Sequence, residues 1–247
     1  MKILILGGNG MVGYNLYSYL KEHHDVFVSL RQNSSHLLEH FLDKDKVFMI
    51  DVLNGSSLVE GIEIINPDVI INAIGITKQA TNNDMIASIR INSLLPHELS
   101  EITGQRKIRL INLSTDCIFS GKKGNYNEQS ISDAEDVYGR TKFLGEVVGD
   151  GVLTIRKSTV GLELENKHGL IEWWLSQRGP IKGFKNAIYS GMITSELASV
   201  IDLIIKDYPD LEGIWNVSSK PISKFDLLSK LQQRLGRKDI DIIPEYD

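Results

Sequence analysis

The sequence predicts an α/β protein built on a doubly wound parallel sheet, with a small C-terminal substrate-binding domain. Three observations carry that expectation. Five short apolar runs alternate with helical stretches over the first half of the chain. The first run, Lys2-Ile3-Leu4-Ile5-Leu6, breaks into glycines and then resumes as an amphipathic helix with Val12, Leu16 and Leu20 on one side. No internal repeat or low-complexity tract interrupts the alternation, which is the pattern of successive strand–helix–strand units.

An apolar run bounded by turn residues reads as a buried parallel strand. Its glycines fall as Gly7-x-x-Gly10-x-x-Gly13, one residue wider at the front than the commonest dinucleotide fingerprint. The first glycine permits a tight strand-to-helix turn, the second lets backbone approach a pyrophosphate, and the third lets the helix pack close to the strand. The helix start then offers free N–H groups and a positive dipole end to phosphates. This predicts a Rossmann-type cofactor site at Gly7, Gly10, Met11 and Val12. An ordinary glycine-rich turn is the alternative, and the pattern alone does not separate the two.

Bulk composition narrows the classes. The chain of 247 residues is 42% hydrophobic and 24% charged, with a net charge of −5, as in an ordinary soluble protein. That balance argues against a broad nucleic-acid footprint, so an anionic small molecule needs a local basic pocket. The single cysteine, Cys117, excludes an intramolecular disulfide and suits a reducing compartment. No apolar run reaches membrane-spanning length, and the glycine-broken start is not a signal peptide. The expected setting is cytoplasmic, with no membrane partner.

In chain order, Asp25 to Leu30 reads as a second strand and is followed by Arg31. An acidic residue there binds ribose hydroxyls, whereas an arginine suits a 2′-phosphate. Arg31 therefore favours NADP(H) over NAD(H), against the alternative of a solvated loop arginine. Ser34 and Ser35 are placed to cap a short helix carrying Leu37, Leu38 and Phe41. A third strand, Lys46 to Ile50, leads to Asp51 and Val52, where the aspartate either meets the adenine edge or begins a turn. Ser56 to Ile65 reads as a helix broken by Asn66-Pro67-Asp68. The fourth strand, Val69 to Ala73, exits through Ile74-Gly75-Ile76. Asp84 to Ile102 reads as one long helix kinked at Pro96. Lys107 to Leu113 is the fifth strand and delivers Ser114-Thr115-Asp116. Ligands of such sheets lie outside the carboxyl ends of the strands, so Gly7, Arg31, Ala73, Gly75 and Thr115 share the expected cofactor edge.

A polar loop, Gly121 to Asp136, precedes Val137-Tyr138-Gly139-Arg140-Thr141-Lys142. Tyr138 and Lys142 are four apart and share a helix face. The expectation is that the ammonium stabilises phenolate and lowers the tyrosine's pKa, leaving it poised for proton transfer at a carbonyl oxygen. Thr115 is the candidate to hold the same oxygen. A Tyr-x-x-x-Lys spacing alone carries little weight, because many helices hold it by chance. The ordered combination carries more.

Gly7-x-x-Gly10-x-x-Gly13, Asn72-Ala73, Ser114-Thr115-Asp116 and Tyr138-x-x-x-Lys142 together resemble the extended short-chain dehydrogenase/reductase family. The runs Ser114 to Gly121, Tyr126-Asn127-Glu128 and Val137 to Lys142 resemble the dTDP-4-dehydrorhamnose reductases within it. The likeness is good from the start to about Gly161 and looser beyond. It implies reduction of a 4-keto deoxysugar nucleotide by NADP(H), or alternatively NAD(H), with Thr115, Tyr138 and Lys142 as the catalytic set. Tyr138 and Lys142 also join the cofactor-binding set of Gly7, Gly10, Met11, Val12, Arg31, Asp51, Val52, Ala73 and Gly75. In related enzymes an asparagine near Asn92 is structural or relays protons; a helix residue satisfying backbone is the alternative. Two readings compete with the reductase: a non-catalytic NADP-binding regulatory subunit and a nucleotide-sugar epimerase.

Two departures follow from the resemblance. Cys117 stands where related 4,6-dehydratases carry an acidic residue, and a thiol is a poor substitute in elimination. The chain also stops at Asp247, short of the family's usual C-terminal segment, so some substrate contacts are expected to be missing. Val152 to Arg156 reads as a sixth strand, Gly191 to Lys206 as a turn and helix, Trp215 to Val217 as a strand and Ser223 to Leu235 as an amphipathic helix. Between them Trp173, Trp174, Arg178, Lys182 and Lys185 either meet the nucleotide or are core and solvated residues. Residues 1–160 and 191–219 form the expected dinucleotide-binding domain, and 161–190 and 220–247 the substrate-binding part. No histidine has metal-ligand spacing, so no catalytic metal is expected. The partners foreseen are a nucleotide sugar and a second copy of the chain in a homodimer.

Overall fold

The computed structural model describes residues 1–31, 42–81, 84–164 and 169–246. The short helix expected after Ser34 and Ser35 lies outside them. The chain divides into two compact units, Met1–Lys157 with Thr194–Val217, and Ser158–Ile193 with Ser218–Asp247.

The first unit is the predicted sheet. β1 (Lys2–Leu6), β2 (Asp25–Leu30), β3 (Val47–Met49), β4 (Val69–Asn72), β5 (Arg109–Thr115) and β6 (Val152–Lys157) are its first six strands in chain order. The second unit intervenes with β7 (Thr159–Val160), β8 (Gly179–Phe184), β9 (Ile188–Tyr189) and β10 (Met192–Ile193). β11 (Gly213–Val217) then returns to the first sheet, whose order is β11-β6-β5-β4-β1-β2-β3. Every pairing in it is parallel, so all seven carboxyl ends meet one edge. This is a doubly wound, Rossmann-like sheet, whose strand order reverses between β1 and β4.

Aliphatic runs make these strands because both faces are covered. On one face Leu4, Leu6, Ile70 and Leu110 pack with Leu58, Ile62 and Ile65 of α2 (Gly55–Ile65). Ile91, Leu95 and Leu99 complete that cluster. α1 (Met11–Leu20) starts directly after Gly10, and Gly7 has a φ of 89°, which suits glycine. A Cβ on Gly13 would collide with the Gly7 carbonyl, so only glycine allows the helix to cross so close to the turn. Asn54 caps α2 by accepting from Ser56 N at 3.1 Å, and Asn66 ends it in the left-handed region.

The predicted long helix is interrupted, and Pro96 is not the cause. After a single turn, α3 (Lys78–Thr81), come α4 (Met85–Ser88), a π-helical segment at Ile89–Leu94 and α5 (Leu95–Arg106). Pro96 lies in the first turn of α5, where a missing N–H costs little. The irregularity lies in the wider π turns, a feature frequent at functional sites. They bury Asn92 and Ser93 side by side. The fifth strand also starts later than expected, because Lys107 adopts φ 56° as it closes α5, and Thr115 becomes its last residue. α6 (Val137–Leu144) carries Tyr138 and Lys142.

The second unit begins its helices with α7 (Leu170–Ser176). Its small core is Trp174, Ile181, Leu228 and Ile240. β7 pairs with β10, β8 with β13 (Ile240–Glu245), and β9 with β12 (Ile222–Ser223). α8 (Thr194–Asp207) belongs to the first unit and α9 (Lys224–Leu235), capped by Ser223, to the second. Trp174 is fully buried, whereas Trp173 is exposed. Arg178, Lys182 and Lys185 each stand against a carboxylate of their own unit: Asp239, Glu245 and Asp226. Among the described residues no helix is long and apolar enough to cross a membrane.

Candidate active site

The glycine turn is locked to itself and to β2. Gly7 N donates to Ser29 Oγ at 3.1 Å, Gly8 N to Ser29 O at 2.9 Å, and Gly10 N to Gly7 O at 3.2 Å. The first intrahelical bond of α1 is Tyr14 N to Gly10 O at 2.9 Å, so Met11, Val12 and Gly13 are the first-turn amides. A Cβ built on Gly10 would meet only the Gly7 carbonyl, at 3.4 Å, so backbone is open to approach there.

The remaining predicted cofactor residues follow the same edge. Arg31 is exposed just beyond β2. Asp51 acts locally: its carboxylate accepts from Leu53 N at 3.0 Å, and its own N–H donates to Ser57 Oγ at 3.1 Å. Val52 turns its side chain into the core. Ala73 N donates to Leu6 O at 3.1 Å, and Gly75 is exposed. A Cβ on Gly75 would stand 3.5 Å from Asn92 Oδ1 and 4.0 Å from Lys142 Nζ, which shows what that small residue faces.

Asn92 is fully buried and holds the β4 exit loop against α6. Its Oδ1 accepts from Ile76 N at 2.8 Å, while Nδ2 donates to Ile76 O at 3.0 Å and to Thr141 Oγ1 at 3.2 Å. Ser93 Oγ donates to Thr141 O at 2.8 Å. The asparagine thus satisfies backbone, but that of a loop distant in sequence rather than of its own helix. Asp136 caps α6 by accepting from Gly139 N at 2.9 Å and takes an ion pair from Lys78 at 2.9 Å.

Tyr138, Thr115 and Lys142 come together at the end of β5. The Tyr138 hydroxyl lies beside the Thr115 side chain, whose Oγ1 accepts from Cys117 N at 3.2 Å. Lys142, only 5% exposed, donates from Nζ to Leu113 O at 2.8 Å. The electrostatics overturn one expectation. Tyr138 is not acidified: burial pushes its pKa up to about 12, the neighbouring Thr115 hydroxyl opposes that rise, and the carboxylates of Asp116 and Asp136 add to it. Lys142 is itself buried and donates to the β5 backbone. Its own pKa is pulled down to about 8, first by burial and then by Lys157, with Glu146 opposing. Burial, then Asp116, pushes the Cys117 thiol up, so it stays protonated.

Three residues of this neighbourhood went unassigned in the sequence reading. Lys157 pairs in register with Thr115 across β5 and β6 and is a second buried cation there. The strand-end rule that selected Thr115 applies equally to it. Glu146 and Arg156 form an ion pair with side chains 2% and 5% exposed, a pairing across ten residues that no local spacing announces. Among the described residues no group of three or more His, Cys, Asp or Glu side chains is placed to hold a metal ion.

A family model described as the RmlD substrate binding domain matches residues 1–167. The chain is 26% identical over 146 residues to a dTDP-4-keto-6-deoxy-D-glucose reductase of Streptomyces niveus, covering 58% of this chain and 45% of that one. It spans about half the length of the curated relatives it matches. A crystal structure of a hypothetical dTDP-4-dehydrorhamnose reductase from Sulfolobus tokodaii superposes with a TM-score of 0.82 at 26% identity, covering 99% of this chain and 86% of that one. A dTDP-4-dehydrorhamnose reductase of Bacillus anthracis str. Ames, in complex with NADP, has a TM-score of 0.81 at 21% identity, with 99% and 84% covered.

Proposed function

The chain belongs to the RmlD substrate-binding-domain family, and on that premise we propose that it reduces the keto group of a 4-keto deoxysugar nucleotide with NADPH. The observation that carries this reading is Tyr138: a neutral phenol beside Thr115, on the same sheet edge as the glycine turn. Such a phenol holds a proton at its oxygen until charge develops on a neighbouring oxygen. Thr115 aligns that second oxygen by its hydroxyl. Lys142 presents an ammonium beside Gly75, where a ribose hydroxyl would find a donor.

The edge fits a dinucleotide. Gly10 leaves backbone open to a pyrophosphate, the first-turn amides of α1 supply donors, and exposed Arg31 suits a 2′-phosphate. When bound, the reduced nicotinamide supplies hydride. NADP(H) is the assigned cofactor and NAD(H) the alternative. Elimination of water is not part of the reading, because a thiol at Cys117 is a poor substitute for a carboxyl group as general acid or base. The second unit is assigned the substrate-binding part, and the reducing cytoplasm is the assigned setting.

A second copy of this chain is the proposed protein partner. Ile86, Ile89 and Leu94, with Phe143, Leu144 and Val148, are large apolar side chains left exposed. His97 donates to Leu144 O at 2.8 Å, which brings the end of α6 beside the turn that bears Leu94. Exposed large apolar side chains brought together on one face are a mark of interaction sites.

The test is a panel of 4-keto nucleotide sugars assayed for loss of NADPH absorbance. Cofactor binding without turnover of any sugar would return the regulatory-subunit reading. Sugar interconversion on retained NAD(H) would return the epimerase.

A further inference from the structure

A buried ion pair is rarely kept for stability alone, because apolar residues of similar volume often serve as well or better. Glu146 and Arg156 form such a pair at full contact. Arg156 Nε donates to Glu146 Oε1 at 2.9 Å and Nη2 to Oε2 at 2.8 Å, the two-point fork that fixes direction as well as distance. Ser114 Oγ donates to the same Oε1 at 2.8 Å. Arg156 Nη1 reaches Glu128 O at 3.3 Å, and its guanidinium lies 5.3 Å from the Phe119 ring centroid. Phe119 stacks on Tyr126 with centroids 4.4 Å apart, and Glu128 Oε1 accepts from Asn216 N at 2.8 Å. The pair therefore fastens the ends of β5 and β6, the exit of α6 and the loop that leads into α6.

Each member also adjoins a residue of the proposed catalytic edge. Ser114 precedes Thr115, Arg156 precedes Lys157, and Glu146 lies one turn beyond Lys142. Lys142 is faced by Lys157 from β6 and by Glu146 from beyond α6, with Arg156 behind Glu146 and Tyr138 one turn before it. Asp116 and Cys117 face Lys157 in turn.

We propose that Glu146 and Arg156 are a positioning pair for this edge: through Ser114 and the exit of α6 they hold Thr115 and Lys142 in register. Their effect on turnover rests on the reductase reading, whereas their effect on Lys142 does not.

The experiment uses the full chain with ¹³Cε-labelled lysine, the Lys142 signal being assigned by its loss in Lys142→Met. In Glu146→Gln the Lys142 titration should move to lower pH than in wild type, because a buried negative charge is gone and Arg156 stays. Arg156→Lys keeps the charge but lacks the fork. Its Lys142 titration should stay in place while keto-sugar turnover falls by roughly 10–100-fold, the cost of a misplaced group. A Glu146→Gln protein with an unmoved Lys142 titration, or an Arg156→Lys protein with wild-type turnover, overturns the proposal. If Glu146→Gln does not fold, Ser114→Ala carries the test: reduced turnover with an unmoved titration supports the pair, and full turnover overturns it. If wild type reduces no keto sugar but Glu146→Gln still moves Lys142, the reductase reading fails and the pair's placement of Lys142 stands.

Discussion

Lys142 Nζ donates to the Leu113 carbonyl at 2.8 Å, two residues before Thr115 on the same strand. The contact anchors α6 to β5, and Tyr138 on the same helix lies beside Thr115. With burial raising Tyr138 to about 12, the phenol is fully protonated at neutral pH. That suits a residue whose assigned task is to give a proton away.

Tyr138→Phe removes the hydroxyl and keeps the ring. Turnover of a keto sugar should fall by roughly 10²–10⁴-fold, the usual loss for a general acid, while NADPH binding measured by fluorescence titration stays near wild type. A variant that keeps full rate would reduce the Tyr138–Lys142 pair to an ordinary helix face.

Lys142, held down to about 8, should set the alkaline limb of the rate profile. Reduction should be level below that pH and decline above it as the ammonium is lost. Lys157→Met removes a like charge, so the limb should move to higher pH. Stability follows the same group. Between about 8 and the ordinary lysine value of 10.5 the unfolded chain binds more protons than the folded one. Wild type should therefore gain stability against Lys142→Met as pH rises through that window. Denaturant melts at its two ends read the difference.

Arg31→Ala should weaken NADPH more than NADH, because it removes a charge-assisted contact to the 2′-phosphate. Equilibrium binding of each cofactor decides this without a substrate. Equal loss for both, or none, would remove Arg31 from the cofactor site.

Leu144→Glu places a charge on the exposed apolar face beside Leu94. If a second copy covers that face, sedimentation should show wild type as a dimer and the variant as a monomer. A monomeric wild type would rule the homodimer out.

The sheet was legible because its information is local. Aliphatic runs such as Ile3 to Leu6 and Val69 to Ile71 have one low-energy use between two covered faces, and Gly7, Gly10 and Gly13 mark where strand passes into helix. The long helix was read less well. Pro96 is the visible breaker in the sequence, but the break is a π segment whose reason is the inward placement of Asn92 and Ser93, and their partners Ile76 and Thr141 are remote in sequence.

The sequence by itself determined the strands of the main sheet in their chain order, the glycine turn, and the presence of Thr115, Tyr138 and Lys142 at strand and helix positions that share an edge. Tertiary structure decided how those groups behave. Whether Tyr138 is acidified depends on how deeply the phenol is buried and on the acidic groups packed around it. Whether Lys142 itself holds a proton depends on burial and on charges from β6 and beyond α6. Spacing along a helix fixes which residues share a face. Charge state is set by everything packed around that face, and only the folded chain brings Lys157, Glu146 and Arg156 there.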